Sequence, residues 1–572
     1  MALGEVEALW VQIVRQKRAQ REDTIPTGWR LNQKFLPKEN GGPENVLAYP
    51  EQCGILTAKD VQITSQNHAG SLINELSSGR LTAKEVTTAF CKRAAIAQQL
   101  TNCLTEPLFT SALQRAEFLD NYLAEHGKPL GPLHGLPVSM KDTFNIAGVD
   151  STIGIAALCF KPAKSNSPLV DLLLSLGCVI IAKTNVPQTL AALDSNNNVF
   201  GRTMNPINRL LTAGGSSGGE GVLVAMKGSM IGVATDIAGS IRVPAMCNGV
   251  YGFKPSVGRV PHEGQENGSL YGNGRVGVQA VTGPIARSVQ DLDTFLKEIV
   301  PRAEMWGEDC VPGRWKEGEL RARGDDSKLV IGILRRDGNC EPLPPISNVL
   351  EEVKHKLKRV ARLEVIDIPT PPAWTKCQSL ANKLMGADGA TRMADLLEET
   401  GEPLVSWMQG RFKRGNPRPL AEVRDMQAQR SELEKQMLDL WFTTDKDGSR
   451  KQKVDAIICP VAPHPVPPID RWNAVGYTSS FVLLDYPAGV IPVRTFEQGD
   501  LELGKEMEGR GRGSWDERNR QLWDEKITNR KVYLGTPLSI QVVTPKLHDF
   551  ELCRMMGVID RALGTVQRES KL

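Results

Sequence analysis

Short apolar segments alternate with stretches of helical periodicity along most of the chain, and this alternation constrains the fold more than any other feature of the sequence. Residues 329–334 read LVIGIL, with no polar side chain on either face. Similar segments occur at residues 178–182, 363–368, 454–459 and 538–543. Because strands without a polar face are covered on both sides, the pattern predicts an α/β fold in which helices cover a central sheet.

Local signals define two of the predicted helices. Thr82 and Glu85 form a capping box, in which each side chain satisfies an orphan amide of the first turn, and the helix is expected to run to about Gln99. Ser167 as the capping residue and Pro168 as the first helical residue begin a second helix, and Gly177 ends it before the strand at residues 178–182. These elements predict an αβ unit.

Three regions lack this order. The first 60 residues mix charged residues with Pro and Gly, and predict an N-terminal arm that wraps around the core. Residues 301–327 and 497–530 are polar or Gly-rich without apolar periodicity. We predict that both are surface insertions.

The composition excludes several classes of protein. With 572 residues, 41% of them hydrophobic and 24% charged, the chain is neither disordered nor a small disulfide scaffold. Its 69 Lys and Arg residues against 66 Asp and Glu residues leave a net charge of +3. That surplus is too small to predict binding to nucleic acid, so we expect a neutral, small partner.

The cysteine and histidine residues predict neither disulfide bonds nor a metal site. The 11 Cys residues are odd in number and include no C-x-x-C pair, which favours a reducing compartment. The 7 His residues include no H-x-x-x-H pair, so no local metal-ligand spacing is present.

The two ends of the chain bear on its location. Residues 1–23 contain a short apolar patch interrupted by acids, which predicts no signal peptide. No apolar run approaches the roughly 18 residues of a spanning helix, so no membrane span is expected. The last residues, Ser570, Lys571 and Leu572, form the S-K-L tripeptide that peroxisomal import receptors bind. We therefore expect a peroxisomal protein, or otherwise a cytoplasmic one.

The region with the clearest chemistry lies between residues 212 and 255, where two clusters of Ser and Gly flank an apolar stretch. Residues 230–234 predict a strand that ends at Thr235 and Asp236 and delivers Ser240 to a tight turn. The backbone amides of Ile237, Ala238, Gly239 and Ser240 would then form an oxyanion hole.

A serine nucleophile requires a base, and two candidates stay open on residue type alone. His262 is the nearest downstream histidine, and members of a catalytic triad are neighbours in space rather than in sequence. Lys141 ends an apolar run, and burial lowers the pKa of a lysine by up to 3 to 5 units, which makes it a base near pH 7. In that case Ser216 would pass the proton between Ser240 and Lys141.

Other interpretations of these motifs are weaker. Ser217 also fits G-x-S-x-G, the nucleophile elbow of α/β-hydrolases, but no strand precedes it. Residues 272–277 read G-x-G-x-x-G, yet they follow a polar loop and begin no amphipathic helix. His134 is more readily explained as a structural hydrogen-bonding residue than as a catalytic base.

Three separated motifs together resemble the amidase signature family of serine hydrolases, and fungal acetamidases in particular. They are G-G-S-S-G-G at residues 214–219, D-x-x-G-S-x-R-x-P at residues 236–244 and G-L-P-x-x-x-K-D at residues 135–142. The likeness extends over residues 60–570 and includes the segments GPLHGLPVSMKD and GRTMNP.

The resemblance implies a single large α/β domain with a central twisted mixed sheet covered by helices, here residues 61–569, between the arm at 1–60 and the targeting tripeptide at 570–572. It implies that Ser240 is the nucleophile, that Ser216 is a bridging serine held by a cis peptide bond, and that Lys141 is the base. The positions that match supporting residues of the family are Ser217, Asp236 and Arg242. Neither a cofactor nor a metal is expected.

The implied reaction is hydrolysis of a carboxylic amide to an acid and ammonia or an amine, with a small aliphatic or aryl amide as substrate. One departure stands out, because Ala238 replaces the first of two glycines usual in the family. It is compatible with a hydrolase of a specialised amide or ester from a secondary-metabolite pathway. A third reading is a catalytically inactive relative that binds a ligand. A homodimer is compatible with the sequence.

Overall fold

The computed structural model describes residues 7–37, 44–66, 68–270, 272–315, 328–444, 447–471, 475–504, 507 and 511–564. Within these residues, a mixed sheet of 11 strands runs through the molecule. The strands are β1 (Leu104–Pro107), β2 (Pro137–Lys141), β3 (Val179–Thr184), β4 (Ile231–Asp236), β5 (Tyr251–Lys254), β6 (Val281–Ala286), β7 (Leu329–Leu334), β8 (Leu363–Ile368), β9 (Ala456–Pro460), β10 (Ala488–Thr495) and β11 (Pro537–Val543). Their order across the sheet is β1-β3-β2-β4-β6-β5-β10-β11-β9-β7-β8.

Helices cover the sheet and make the molecule a single α/β domain, as the sequence predicts. They are α1 (Leu9–Asp23), α2 (Tyr49–Gln52), α3 (Ala58–Thr64), α4 (Ala69–Ser77), α5 (Ala83–Thr101), α6 (Phe109–His126), α7 (Pro168–Ser175), α8 (Gly218–Ala225), α9 (Arg242–Asn248), α10 (Val289–Ile299), α11 (Pro344–Leu357), α12 (Trp374–Met385), α13 (Thr391–Thr400), α14 (Leu420–Met437), α15 (Gly476–Leu483), α16 (Ser514–Gln521) and α17 (Asp549–Leu563). None of the described helices is both long and apolar enough to cross a membrane.

Three neighbouring strands towards one edge of the sheet are parallel and fully buried. β2 pairs in parallel with β3 on one side and with β4 on the other. Every residue of these three strands is buried, although β2 carries a serine and a lysine. Buried polar side chains need partners in the layer above the sheet, and α8 supplies that layer here because it packs against β2, β3 and β4.

Several local predictions are confirmed. Thr82 and Glu85 form the capping box at the start of α5. The strands predicted at residues 329–334 and 363–368 have those bounds, whereas the one predicted at 454–459 begins two residues later. α7 begins at Pro168, but the hydroxyl of Ser167 makes no capping bond, so that part of the prediction is wrong.

The prediction of a surface insertion at residues 497–530 is wrong at its C-terminal end. Leu522 and Trp523 are each 1% exposed and belong to the main hydrophobic core. Trp523 packs edge-on against Phe496, and the hydroxyl of Tyr533 donates to the Leu522 carbonyl. Polar residues surround Leu522 and Trp523 in the sequence, so hydrophobic periodicity does not predict that these two side chains are buried. Of the segment at 301–327, residues 316–327 lie outside the described residues.

The N-terminal residues include a helix fixed by buried charges. In α1, Lys17 and Arg21 are buried, and Lys17 forms ion pairs with Glu106 and Asp150. α3 crosses the boundary predicted at residue 60. The targeting tripeptide predicted at residues 570–572 lies outside the described residues.

Candidate active site

Lys141 is the last residue of β2 and is 1% exposed. Its Nζ donates to Ser216 Oγ at 2.8 Å and to Thr235 Oγ1 at 2.8 Å. The strand thus delivers its one cation to two hydroxyl groups, within a layer that excludes bulk water.

Burial lowers the pKa of Lys141 to about 7, although the negative charges of Asp236 and Glu220 act in the opposite direction. A charged ammonium loses its hydration in such a place, so the neutral amine is favoured. Near pH 7 a substantial fraction of this lysine is unprotonated and able to accept a proton, which is the state that general-base chemistry requires.

Ser216 reaches Lys141 from the loop before α8. The peptide bond between Gly215 and Ser216 is cis. Gly214 has φ +79°, and a Cβ there would lie 2.9 Å from the Cα of Pro244, so the close approach of the loop to α9 requires glycine. Ser217 precedes α8, and its hydroxyl lies 3.4 Å from the carbonyl of Thr235. With no strand leading into it, Ser217 does not form a nucleophile elbow.

Ser240 lies in the turn between β4 and α9 and is 4% exposed. Ser216 is also buried, at 3% exposed. The described residues include no direct hydrogen bond between the two hydroxyls, so a proton would pass between them only after one side chain rotates or a substrate draws them together.

Asp236 organises the turn that carries Ser240. Its carboxylate accepts from the amides of Gly239 (2.7 Å) and Ile241 (3.1 Å), and from Nε and Nη2 of Arg242, both at 2.9 Å. Burial alone would raise the pKa of Asp236, but the charge and hydrogen bonds of Arg242 outweigh it and the pKa is lowered. The carboxylate stays charged and fixes the turn.

One amide of the predicted oxyanion hole already has a partner. The amide of Gly239 donates to Asp236 at 2.7 Å. The donors of Asp236 do not include the amides of Ile237, Ala238 or Ser240. These three amides are the ones left for an oxyanion.

The two residues before Ser240 differ in their backbone requirements. Gly239 has φ +126°, and a Cβ there would lie 2.7 Å from Oγ1 of Thr478. Ala238 is absent from the residues with positive φ, so its side chain is accommodated without backbone strain. Its carbonyl accepts a hydrogen bond from the Thr478 hydroxyl at 2.5 Å.

Three contacts of the site were missed by the sequence argument. The sequence predicts Thr235 only as the end of a strand and gives it no role, although side chains alternate along β4 and the side on which Thr235 lies was predictable. Thr478 had no signal, because it lies 240 residues from the loop it contacts. Glu220 follows the Gly-rich motif directly, and its charge in an apolar helix was an available signal.

Neither histidine candidate is bonded to the two serines in the described residues. Nδ1 of His262 is 3.1 Å from Oγ1 of Thr282 and 3.2 Å from Nε2 of Gln265, and burial, with a smaller effect of Lys141, lowers its pKa to about 4. No hydrogen bond joins this ring to either serine among the described contacts. Nδ1 of His134 accepts from the amide of Leu130, which is the structural role expected of it. The geometry favours Lys141 as the base.

No group of three or more His, Cys, Asp or Glu side chains in the described residues has the arrangement of a metal site. A cleft of about 440 Å³ lies on another part of the surface and contains none of the residues above. Two of its cations, Arg418 and Arg512, are paired with Glu422 and Glu341. Its charge is therefore largely compensated.

Comparisons with known proteins show what the whole chain is similar to. A family model described as Amidase matches residues 85–553. The chain is 34% identical to an acetamidase of Aspergillus oryzae, over 97% of this chain and 99% of the relative. It is 34% identical to an acetamidase of Emericella nidulans with the same coverage.

Two solved structures show the same architecture. A fatty acid amide hydrolase superimposes with a TM-score of 0.84 and 29% identity, covering 97% of this chain and 95% of the other. A bacterial aryl acylamidase of the amidase signature family superimposes with a TM-score of 0.65 over 86% and 96% of the two chains. At 18% identity, the second likeness concerns the fold alone.

Proposed function

The chain belongs to the amidase family and is an amide-hydrolysing enzyme, and on this basis we propose that it works through an acyl-enzyme formed on Ser240, with Ser216 and Lys141 as the proton relay. The observation that carries the proposal is the 2.8 Å contact between a buried lysine with a pKa of about 7 and a serine hydroxyl. A neutral amine can accept a proton, whereas an ordinary lysine is already protonated at pH 7 and cannot.

In the acylation step the neutral amine of Lys141 accepts the proton of Ser216, which takes the proton of Ser240. The Ser240 oxygen forms a bond with the carbonyl carbon of the substrate, and the carbonyl oxygen becomes an oxyanion. The amides of Ile237, Ala238 and Ser240 would donate to it. The relay then returns the proton to the leaving nitrogen as the C–N bond breaks.

In deacylation, water replaces the amine. The relay removes a proton from water, the hydroxide attacks the ester carbonyl, and the bond to Ser240 breaks as the proton returns to its oxygen. The products are a carboxylic acid and ammonia or an amine. The enzyme leaves the cycle unchanged.

Asp236 and Arg242 would keep the nucleophile turn in shape through both steps. Their ion pair is fully buried, and the guanidinium also donates to Gln541 at 2.7 Å and to the Thr478 carbonyl at 3.0 Å. Buried charges satisfied on every side fix one geometry of the chain. Ser217 supports the same region from the start of α8.

For the substrate we propose a small aliphatic or aryl amide. Support comes from the acetamidase relatives, which align over nearly the whole chain. The alternative is a larger or specialised amide or ester, which Ala238 would favour if its methyl group reshapes the acyl end of the site.

A substrate panel tests the proposal. Release of ammonia or amine is measured for amides of increasing acyl length and for matched esters, with wild type and Ser240→Ala side by side. Small amides turned over by wild type and not by Ser240→Ala are expected. A preference for long acyl chains or esters would support the alternative, and turnover by Ser240→Ala would exclude Ser240 as nucleophile.

Labelling with a fluorophosphonate separates an active enzyme from a ligand-binding relative. We expect one covalent adduct on wild type, none on Ser240→Ala and slow labelling of Lys141→Ala, since the hydroxyl is present without its base. A folded wild-type chain that forms no adduct would identify an inactive relative.

We also propose import into peroxisomes through Ser570, Lys571 and Leu572. A fluorescent protein fused to the N-terminus leaves these residues free, and punctate fluorescence that becomes diffuse after Leu572→Ala is expected. Cytosolic fluorescence of the unaltered fusion would contradict the proposal. We propose a homodimer as well, and light scattering during gel filtration tests it, since a mass of one chain would contradict it.

A further inference from the structure

A buried carboxyl group beside the candidate relay has no role in the steps above. Glu220 is fully buried in the first turn of α8. Its Oε2 accepts from Ser139 Oγ at 2.5 Å, and its Oε1 accepts from Thr184 Oγ1 at 2.8 Å. Burying a carboxyl group is costly, so it is seldom retained without a partner that compensates for lost hydration.

The two hydroxyl donors are neighbours of Lys141 in the sheet. Ser139 lies two residues earlier in β2, so both side chains are on the same face. Thr184 in β3 is directly aligned with Lys141. Since adjacent strands lie about 4.8 Å apart, the carboxyl group that binds both hydroxyls lies beside the lysine side chain.

The neighbouring strand leaves space for this carboxyl group. Gly232 of β4 is aligned with Ser139, and a Cβ on it would lie 2.4 Å from Glu220 Oε2. Its φ is not in the left-handed region, so the glycine is explained by close approach rather than by backbone conformation. The carboxyl group of Glu220 on α8 is therefore surrounded by residues of β2, β3 and β4.

Around Lys141, two other titratable groups are present. Asp236 faces it from the end of β4, but that carboxylate is bound by Arg242. His262 faces it from the loop after β5, and burial lowers its pKa to about 4, so it is neutral in the working range. Glu220 is the remaining acid that acts on the amine.

Around Glu220, the other groups carry no competing charge. Burial raises the pKa of Cys103 to about 12, so this thiol is neutral. Side chains alternate between the two faces of β3, so Lys183 lies on the face opposite Thr184 and donates there to the carbonyl of Asp150. From α5, Arg93 donates to the carbonyl of Met226 at the far end of α8. Lys141 is the cation that acts on Glu220.

We propose that Glu220 is a positioning residue of the relay, whose carboxylate is the counter-charge that stabilises Lys141 in its protonated form. This inference rests on the proposed function. Each time the relay draws a proton from Ser240, a positive charge appears on Nζ inside a site closed to water. A carboxylate fixed by Ser139 and Thr184 favours that charge without moving, and its influence ends when the proton passes to the leaving nitrogen.

Burial is the largest effect on Glu220 and raises its pKa, while the hydrogen bonds donated by Ser139 and Thr184 and the positive charge of Lys141 favour the ionised form. The carboxylate is therefore favoured in the state in which Nζ of Lys141 carries the proton. Each charge of the pair stabilises the other, so the two groups titrate together.

The test is the pH profile of kcat/KM for Glu220→Gln, which keeps the shape and removes the charge. Without the carboxylate the ammonium form of Lys141 is less stable, so the midpoint of the acid limb is expected to fall by about one pH unit. The plateau is expected to drop about tenfold, because the proton acceptor becomes weaker. Glu402→Gln is the matched control, since its buried carboxyl group does not act on Lys141, and its midpoint should equal that of wild type.

An unchanged or raised midpoint in folded Glu220→Gln would overturn the inference, because a purely structural role lowers stability and the plateau but leaves the midpoint in place. If Glu220→Gln fails to fold, Ser139→Ala removes one hydrogen bond to the carboxylate, and a smaller shift in the same direction is expected. No shift in that variant would overturn the inference equally. Lys141→Ala distinguishes failure of the proposed function from failure of this inference. Full activity of Lys141→Ala would refute the relay itself. An inactive Lys141→Ala together with an unshifted midpoint in Glu220→Gln would refute only the role of Glu220.

Discussion

The hydroxyl of Thr478 donates a 2.5 Å hydrogen bond to the carbonyl oxygen of Ala238. Thr478 lies in α15, and its own carbonyl accepts from Nη2 of Arg242 at 3.0 Å. The same residue therefore holds the chain both before and after Ser240. Contacts from a distant helix that fix both sides of a turn make that turn rigid.

Thr478→Val tests this restraint, because valine keeps the shape and removes the hydroxyl. We expect kcat to fall about tenfold and the free energy of unfolding to fall by about 1 kcal/mol, as the Ala238 carbonyl loses its donor. Steady-state kinetics and urea unfolding measure the two effects. Ser480→Ala removes a hydroxyl that bonds only within α15 and should leave kcat near wild type. Equal kcat for Thr478→Val and wild type would contradict the restraint.

Gly239→Ala should be far more damaging than a change at the adjacent residue. At φ +126°, a methyl group is strained and lies 2.7 Å from the Thr478 hydroxyl. A strain of 1 to 3 kcal/mol that displaces the nucleophile predicts a loss of about 100-fold in kcat/KM. Ala238→Gly adds no clash and should stay within a few-fold of wild type. Circular dichroism checks that both variants fold, and comparable activity of the two would show that the turn is not held as described.

The pH dependence of kcat/KM should follow the titration of Lys141. Burial lowers its pKa to about 7, so the lysine is protonated and inactive as a base below that value and neutral above it. Activity is therefore expected to rise from pH 5 to pH 9, with a midpoint near 7, in buffers of constant ionic strength. Lys141→Met should lose the limb together with most of the activity. If kcat/KM of the wild type did not change with pH over this range, Lys141 would not be the base.

Much of the framework was predictable from the sequence, because local signals specify it. The strand at residues 329–334 is apolar on both faces, and the capping box at Thr82 requires no tertiary contact. The proximity of Lys141 and Ser216 was implied by family resemblance rather than by spacing. The two residues lie 75 apart in the sequence, and the packing of α8 against β2 brings them together.

The remainder depends on tertiary packing that periodicity does not encode. The amide of Gly239 was assigned to the oxyanion hole because it is consecutive with three others, yet the Asp236 carboxylate takes it. The sequence around Trp523 is polar, and the packing of its ring against Phe496 places it in the core. Asp236 lies only three residues before Gly239, so the first contact is local to the turn, whereas Trp523 and Phe496 are brought together by tertiary packing alone.

The buried charges of α1 lead to a prediction about the N-terminal region. Lys17 donates to Asp150 Oδ2 at 2.7 Å and pairs with Glu106 at 2.5 Å, with its side chain 2% exposed. Lys17→Met leaves the buried carboxyl group of Asp150 and the partly buried one of Glu106 without their cation, which should lower the free energy of unfolding by about 3 to 5 kcal/mol.

Arg15→Met is the matched control on the same helix. The Arg15 side chain is 68% exposed where it pairs with Glu7, so its loss should cost less than about 1 kcal/mol. Urea unfolding gives the free energies, and amide hydrogen exchange of residues 9–23 shows whether α1 detaches first in Lys17→Met. Equal free energies of unfolding for the two variants would contradict the prediction. The attraction within the ion pairs of Lys17 would then be offset by the cost of desolvating the charges, and apolar packing of Val14 would hold the helix in place.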